Sequence, residues 1–314
     1  MLRAAVVGAG EFGKNHVRVY RDLEGVELVG VADARRERAE EIAGAFGTKA
    51  FTDARELLGK VDAVSVATPT VAHAEAAEPF LRAGVHALVE KPLAPSLEEA
   101  DRLVRAAREG GAVLAVGHLE RFNPAVEHLL STVTSPRFVE VHRLSGFPER
   151  SLDVDVLLDL MTHDLDILLA MVQRPVAEVR AAGVAALTDK VDIANARLGF
   201  EGGCVANLTA SRISRERMRK LRVFEPRRYL SVDYDAQEVE SFSLALRKGA
   251  RPEVVRDSPA IERDEPLRRE LEHFVRCAQG KETPRISGER ARDVIALILR
   301  IREEIEGRLM QDAT

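Results

Sequence analysis

The 314-residue sequence predicts an α/β domain over residues 1–120 and a mainly antiparallel α+β domain over 121–314. Three observations carry that reading. Short apolar runs alternate with amphipathic stretches through the first domain, the βαβ signal of a parallel sheet. A glycine-rich turn, Gly8-Ala9-Gly10-Glu11-Phe12-Gly13, joins the first apolar run to the first amphipathic stretch. Further along, strand-like runs succeed one another and the helices stand apart from them, as in α+β domains.

The elements follow in order. Strands are expected at Leu2–Val7, Val26–Ala32, Ala63–Ala67, His86–Val89 and Val113–Val116. Their continuous β-branched and apolar character suits a sheet covered on both faces. Helical patterns fall between them at Phe12–Leu23, Ala34–Phe46, Ala72–Ala83 and Leu97–Arg108. The last is introduced by Pro95-Ser96 and carries Glu98-Glu99 in its first turn, where acidic groups meet the positive end of the helix dipole. The boundary is expected near Gly117–Asn123. A short helix near Pro124–Leu130 precedes strands at Phe138–Leu144, Val176–Ala186, Ile193–Gly199, Cys204–Ala210, Lys220–Phe224, Tyr229–Tyr234 and Glu238–Leu244. Glu201-Gly202-Gly203 reads as a hairpin turn. One helix, Val154–Val172, interrupts this series, and two more close the chain at Leu267–Gln279 and Glu289–Leu309.

Composition bounds the function. Apolar residues at 46% and charged residues at 31% describe a soluble globular chain and argue against disorder. A formal net charge of -5 offers no basic field for nucleic acid. No apolar run approaches the roughly 20 residues that span a bilayer, so no membrane partner is expected. The N-terminal stretch Ala4-Ala5-Val6-Val7 runs straight into Gly8, which leaves no room for a signal peptide. Two cysteines, Cys204 and Cys277, lie far apart without metal-ligand spacing. They read as buried or free thiols in a reducing, cytoplasmic compartment, with no metal site.

Gly8-x-Gly10-x-x-Gly13 follows a predicted strand and opens a helix, the setting in which backbone N–H groups approach a pyrophosphate. Asp33 ends the next strand, twenty residues beyond Gly13. A carboxylate there accepts the adenosine ribose hydroxyls and repels a 2′-phosphate. NAD is therefore the expected cofactor. NADP stays open, because Arg35 and Arg36 follow directly and can bind phosphate if they are not simply a solvated helix start.

Lys91 in Glu90-Lys91-Pro92 follows the strand His86–Val89, and ligands of open α/β sheets bind beyond the carboxyl ends of strands. Its ammonium can stabilise negative charge developing on a substrate oxygen; the alternative is a surface lysine paired with Glu90. The helix Val154–Val172 is apolar nearly all round and should be buried. Asp159, His163 and Asp166 nevertheless fall on one stripe of it. Buried carboxylates and imidazoles need partners, so the stripe suggests either a cleft or a satisfied core pair. In a cleft, Asp159 would fix the tautomer of His163 and leave the other ring nitrogen to act as base.

These marks together resemble the glucose–fructose oxidoreductase / inositol dehydrogenase (Gfo/Idh/MocA) family over essentially the whole chain. They are Val6-Val7-Gly8-Ala9-Gly10, Ala67-Thr68-Pro69 with His73, Val89-Glu90-Lys91-Pro92, Gly117-His118, and Asp159-x-x-x-His163-Asp164. The resemblance implies an α/β Rossmann N-terminal domain holding NAD(P) and an α+β C-terminal domain for substrate. It implies that Lys91, Asp159 and His163 oxidise a hydroxyl of a sugar, cyclitol or sugar nucleotide. It also implies that Gly8, Gly10, Glu11, Phe12, Gly13, Asp33, Thr68, Pro69, His73, Glu90 and Lys91 line the cofactor crevice, although His73 and His118 can equally be packing residues.

The stretch Gly117–Pro124, with Arg222–Pro226 and Tyr229–Tyr234, resembles the branch containing UDP-N-acetylglucosamine 3-dehydrogenase-like proteins. A basic run, Arg212, Arg215, Arg217, Arg219, Lys220 and Arg222, can embrace a pyrophosphate or form a solvated strand edge. Arg121, Asn123, Arg212 and Arg215 are the expected substrate ligands, and a UDP-N-acetylhexosamine is the expected substrate. Inositol or a free sugar is the alternative, and a ligand-sensing regulator is the non-catalytic one. A homodimer or homotetramer through the C-terminal sheet is implied by the resemblance.

Overall fold

Continuous apolar runs near the N-terminus form the strands of a parallel sheet. The computed structural model describes residues 1–147, 154–245 and 252–312. The chain divides into two units, residues 1–119 with 265–295 and residues 120–264 with 296–314.

In the first unit lie β1 (Leu2–Val7), α1 (Glu11–Asp22), β2 (Val26–Ala32), α2 (Arg36–Phe46), β3 (Lys49–Phe51), β4 (Ala63–Val66), α3 (His73–Arg82), β5 (His86–Glu90), α4 (Leu97–Gly110) and β6 (Leu114–Gly117). Their strands, among the described residues, make a six-stranded parallel sheet in the order β3-β2-β1-β4-β5-β6. Val6, Val64, Val66 and Val89 are fully buried, as a sheet covered on both faces requires. The short β3, begun by an exposed Lys49, carries too little pattern to be read from sequence. α4 starts as expected: the Ser96 hydroxyl accepts the Glu99 N–H at 3.2 Å and caps the helix.

Residues 265–295 group with the first unit. The helix α7 (Pro266–Ala278) returns to the first unit and buries Leu271, Phe274 and Val275 in one core with Val17 and Tyr20 of α1. Three apolar residues at helical spacing make α7 amphipathic, and burying each contributes roughly 1.5–3 kcal/mol. Sequence order conceals such a return. The final helix, α8 (Gly288–Asp312), belongs to the first unit up to Ile295 and to the second from Ala296.

The second unit contains α5 (Pro124–Thr132), β7 (Phe138–Leu144), a π-helical turn over Leu157–Met161, α6 (Thr162–Val172), β8 (Val176–Val184), β9 (Ile193–Phe200), β10 (Val205–Ser211), β11 (Met218–Glu225), β12 (Arg228–Asp233), β13 (Glu238–Ala245) and β14 (Glu253–Asp257). Among the described residues they form an eight-stranded sheet ordered β14-β13-β12-β11-β7-β10-β9-β8. Neighbouring strands are antiparallel except β7 and β10, which pair in parallel. Alternation sorts the two faces. Val139, Val141, Leu208, Leu221, Val223, Leu230 and Val232 are buried, while Glu140, Asn207, Lys220, Arg222 and Ser231 point the other way.

Candidate active site

In the first unit, β1 runs into a turn that only glycine fits. Gly8 has φ of 100°, and a Cβ there would meet the Ala67 carbonyl oxygen at 2.5 Å. At Gly13 a Cβ would lie 1.8 Å from the Gly8 carbonyl oxygen. Gly10 differs: nothing stands within 4 Å of a Cβ built on it, and it begins α1 with no side chain capping the helix. The first-turn N–H groups thus meet an open face at the positive end of a helix. A dinucleotide pyrophosphate fits that cradle. Phe12, half-exposed on the first turn, borders it.

Asp33 at the end of β2 braces the same loop. Its Oδ2 accepts the Ala9 N–H at 2.9 Å, and its Oδ1 accepts the Arg35 N–H at 2.9 Å. The Arg35 guanidinium pairs with it at 3.2 Å, and Arg38 donates to the Ala9 carbonyl at 2.7 Å. Burial pushes the Asp33 carboxyl up, but the Arg35 side chain and the two backbone donors outweigh it and hold the group below the usual carboxylate range. An ionised Asp33 is suited to accept ribose hydroxyls and to oppose a 2′-phosphate. Arg35 is turned to Asp33 while its side chain stays largely exposed.

Thr68 and Pro69 leave β4 against the glycine loop, where the Thr68 nitrogen would be 2.9 Å from a Gly8 Cβ. His73 is buried behind them. Its Nδ1 lies 2.9 Å from the Pro92 carbonyl oxygen and its Nε2 2.9 Å from that of Thr68. Burial pulls its pKa down despite those carbonyls. The ring therefore fastens the segments after β4 and β5 to each other. Glu90 ends β5 with Oε1 2.9 Å from His16 Nε2. A Cβ on Gly117 would come within 3.1 Å of its carboxyl, so glycine leaves the space Glu90 fills. Lys91 follows, half-buried, with a cis bond to Pro92.

In the second unit, Asp159 sits within the π-helical turn and His163 in the first turn of α6. Both are half-buried among buried neighbours, Leu157, Leu158, Met161, Thr162 and Leu165. π turns inside helices recur at functional sites. Asp166, also on this helix, is buried and pairs with Arg121 at 3.3 Å. The next aspartate, Asp164, receives the Arg143 guanidinium through two hydrogen bonds of 2.8 and 2.9 Å. Arg143 also reaches Glu120 at 3.2 Å and lies over the Tyr234 ring. Burial pulls the Arg143 pKa down, but Asp164 and Glu120 more than reverse it and keep the guanidinium charged.

The expected substrate ligands divide. Arg121 is engaged with Asp166, and Asn123 caps α5 through the Ala125 N–H at 3.0 Å while donating to the Tyr234 carbonyl at 3.0 Å. Arg212 is fully buried against Asp192 at 2.9 Å and the Val154 carbonyl at 2.8 Å. These three hold the fold together, a use that arginine and asparagine in a soluble domain share with ligand binding. Arg215 alone among the four is exposed. The rest of the basic run is paired: Arg217 with Asp235, Arg219 with Glu120 and Asp235, Lys220 with Asp233, and Arg222 with Glu140. Glu270, Arg143 and His16 were not legible as site neighbours, since only the tertiary fold brings them near the motifs.

A glycine-loop cradle, an acidic residue at the end of β2 and a lysine beyond β5 define a dinucleotide-binding oxidoreductase. The chain belongs to the Gfo/Idh/MocA family: residues 2–118 match its NAD-binding Rossmann fold and residues 126–227 match a Gfo/Idh/MocA C-terminal domain. It is 39% identical over 314 residues to the UDP-N-acetylglucosamine 3-dehydrogenase of Acidithiobacillus ferrooxidans, covering 99% of each chain. The solved structure of that enzyme, GnnA, superposes with a TM-score of 0.92 over 98% of each chain. An inositol 2-dehydrogenase of Rhizobium meliloti is 32% identical over 200 residues, 60% of each chain. The WlbA dehydrogenase of Bordetella pertussis, solved with NADH and UDP-GlcNAcA, shares the fold at 20% identity and a TM-score of 0.83. The chain is thus an NAD(P)-dependent oxidoreductase. Among the described residues no helix is long and apolar enough to cross a membrane, and no histidine, cysteine and carboxylate group is arranged to hold a metal.

Proposed function

We propose that this oxidoreductase is a UDP-N-acetylhexosamine 3-dehydrogenase, with UDP-N-acetylglucosamine its first candidate substrate. The observation that carries the reading is likeness from end to end, in sequence and in fold, to a protein of that activity. The residues named from sequence support it, because Lys91, Asp159 and His163 are all present and all half-buried. Bound NAD supplies the hydride acceptor. The Gly8–Gly13 loop would hold its pyrophosphate, bordered by Glu11, Phe12, Thr68 and Pro69, and Asp33 would accept its ribose hydroxyls.

His163 takes the proton of the substrate hydroxyl as general base. Lys91 stabilises the oxygen as negative charge develops on it. Asp159 orients the imidazole and balances its charge. Among the four expected substrate ligands, Arg215 keeps an exposed guanidinium for a diphosphate. NAD is preferred to NADP because Asp33 stays ionised.

The test is turnover, followed by the absorbance of reduced nicotinamide, with NAD and NADP against UDP-sugars, free hexoses and inositols. Reduction of NAD by a UDP-N-acetylhexosamine supports the reading. Faster turnover of inositol would replace it, consistent with the shorter match to an inositol dehydrogenase.

The open face of the eight-stranded sheet supports assembly of two or four copies. An aromatic ladder crosses it: Phe138 to Phe224 at 5.7 Å, Phe224 to Tyr229 at 4.9 Å and Tyr229 to Phe242 at 5.3 Å. These partly exposed rings give a second copy an apolar strip to cover.

A further inference from the structure

Inside the first unit, around Glu90, lies a cluster of titratable groups that the proposed chemistry does not use. His16 on α1 is fully buried and bonds Glu90 through Nε2 at 2.9 Å. Glu270 on α7 is 1% exposed, and neither of its carboxyl oxygens has a hydrogen-bond partner among the described residues. The Tyr20 hydroxyl, one turn along α1 from His16, is taken up by Ser65 at 2.8 Å. The titratable and charged groups that bear on this cluster are His16 and Tyr20 on α1, His73 on α3, and Glu90 with Lys91 at the end of β5.

A buried carboxylate without donors is strongly disfavoured, and the charge of a second carboxylate adds repulsion. The two acids are in unequal surroundings. Burial pushes Glu90 up, but the hydrogen bond and field of His16, then Lys91 and His73, hold it below the usual range. Glu270 has no such donors. Burial pushes it well above the usual range, and the charge on Glu90 pushes it further. The proton therefore belongs on Glu270.

We propose that Glu270 is a positioning residue for the Lys91 end of the site: it keeps its own proton in the folded unit, so that the single negative charge of the cluster rests on Glu90. That charge holds His16 on one side and bears on Lys91 at the other. The role rests on the dehydrogenase reading, whereas the protonation does not. Ionising Glu270 would place a second negative charge behind Glu90 and weaken the arrangement.

The stability sign follows. A carboxyl that keeps its proton longer when folded than when unfolded makes folding weaker as pH rises. The loss begins above the ordinary carboxylate range and ends once folded Glu270 ionises. Across that window the folding constant of the wild type, relative to Glu270→Gln, should fall about tenfold per pH unit.

Infrared spectroscopy in the carboxyl region is the direct test. The wild type should show a protonated carboxyl band at neutral pH that Glu270→Gln lacks, and Glu90→Gln should move its titration to lower pH. In turnover, Glu270→Gln should extend the alkaline plateau of kcat by at least about one pH unit, tenfold in proton concentration. A purely structural glutamate would leave the plateau where it was. Equal infrared spectra for wild type and Glu270→Gln would overturn the proposal, as would superimposed pH profiles. Should Glu270→Gln fail to fold, a wild type without any protonated carboxyl band at neutral pH would overturn it alone. An inactive wild type that still shows the Glu270 band would overturn the dehydrogenase reading and with it the positioning role, leaving the proton where it is placed.

Discussion

Replacing Lys91 by Ala is expected to lower kcat by on the order of 10²–10³-fold while NAD binding persists, because in the proposed role its ammonium stabilises the substrate oxygen. His163→Ala should cost on the order of 10²–10⁴-fold through loss of the proposed general base. Calorimetric titration of NAD binding beside steady-state kinetics separates the two effects. Asp33→Ala should weaken NAD and strengthen NADP, since it removes both the ribose acceptor and the charge that opposes a 2′-phosphate; unchanged cofactor preference would remove Asp33 from the site. At this scale the sequence was informative where a residue sits in a short motif with a fixed local geometry. Gly8, Gly13 and Asp33 are of that kind. It was uninformative where an ion pair closes over long distance, because Arg121–Asp166 and Arg212–Asp192 look like any other charges until the chain is folded.

The elements explain why the motifs work. Gly13→Ala should disrupt the β1–α1 turn, because its Cβ would collide with the Gly8 carbonyl. A fall in Tm together with loss of NAD binding is the expected outcome. The helix carrying His163 is held by a buried arginine pair, and Asp164→Ala would leave Arg143 largely without its partner. Breaking such a pair costs roughly 3–5 kcal/mol, measurable as a lower denaturant midpoint. Asp192 secures the turn after β8 by accepting the Ala186, Leu187 and Thr188 N–H groups at 2.9, 2.6 and 2.9 Å. Burial pushes its carboxyl up, but the Leu187 and Thr188 donors and Arg212 hold it far below the usual range. That stability is present above the ordinary carboxylate range and is lost as pH falls, so Asp192→Asn should be less stable at neutral pH and less sensitive to acid. Most element positions were legible from periodicity. The π turn was not: Val154–Val172 reads as one continuous helix, because its apolar residues fill every face and leave no phase to betray an added residue.

At the scale of the whole molecule, the two fold classes were legible because strands interleaved with helices give way, beyond residue 120, to strands in succession. The return of α7 to the first unit was not, since an amphipathic helix does not reveal which core it will enter. Glu270 travels with that helix and so was invisible from sequence. Assembly is tested on the open sheet face: Phe224→Glu combined with Tyr229→Glu should shift the mass seen by light scattering to that of one chain, and an unchanged mass would exclude that face. The account as a whole turns on chemistry, and NAD reduction with UDP-N-acetylglucosamine, compared among wild type, Lys91→Ala and His163→Ala, tests it most directly. Substrate-dependent reduction in the wild type, with losses of at least about a hundredfold in both variants, is the predicted result. Wild-type turnover that survives both substitutions would contradict the assigned roles, and no turnover with any UDP-sugar would contradict the substrate.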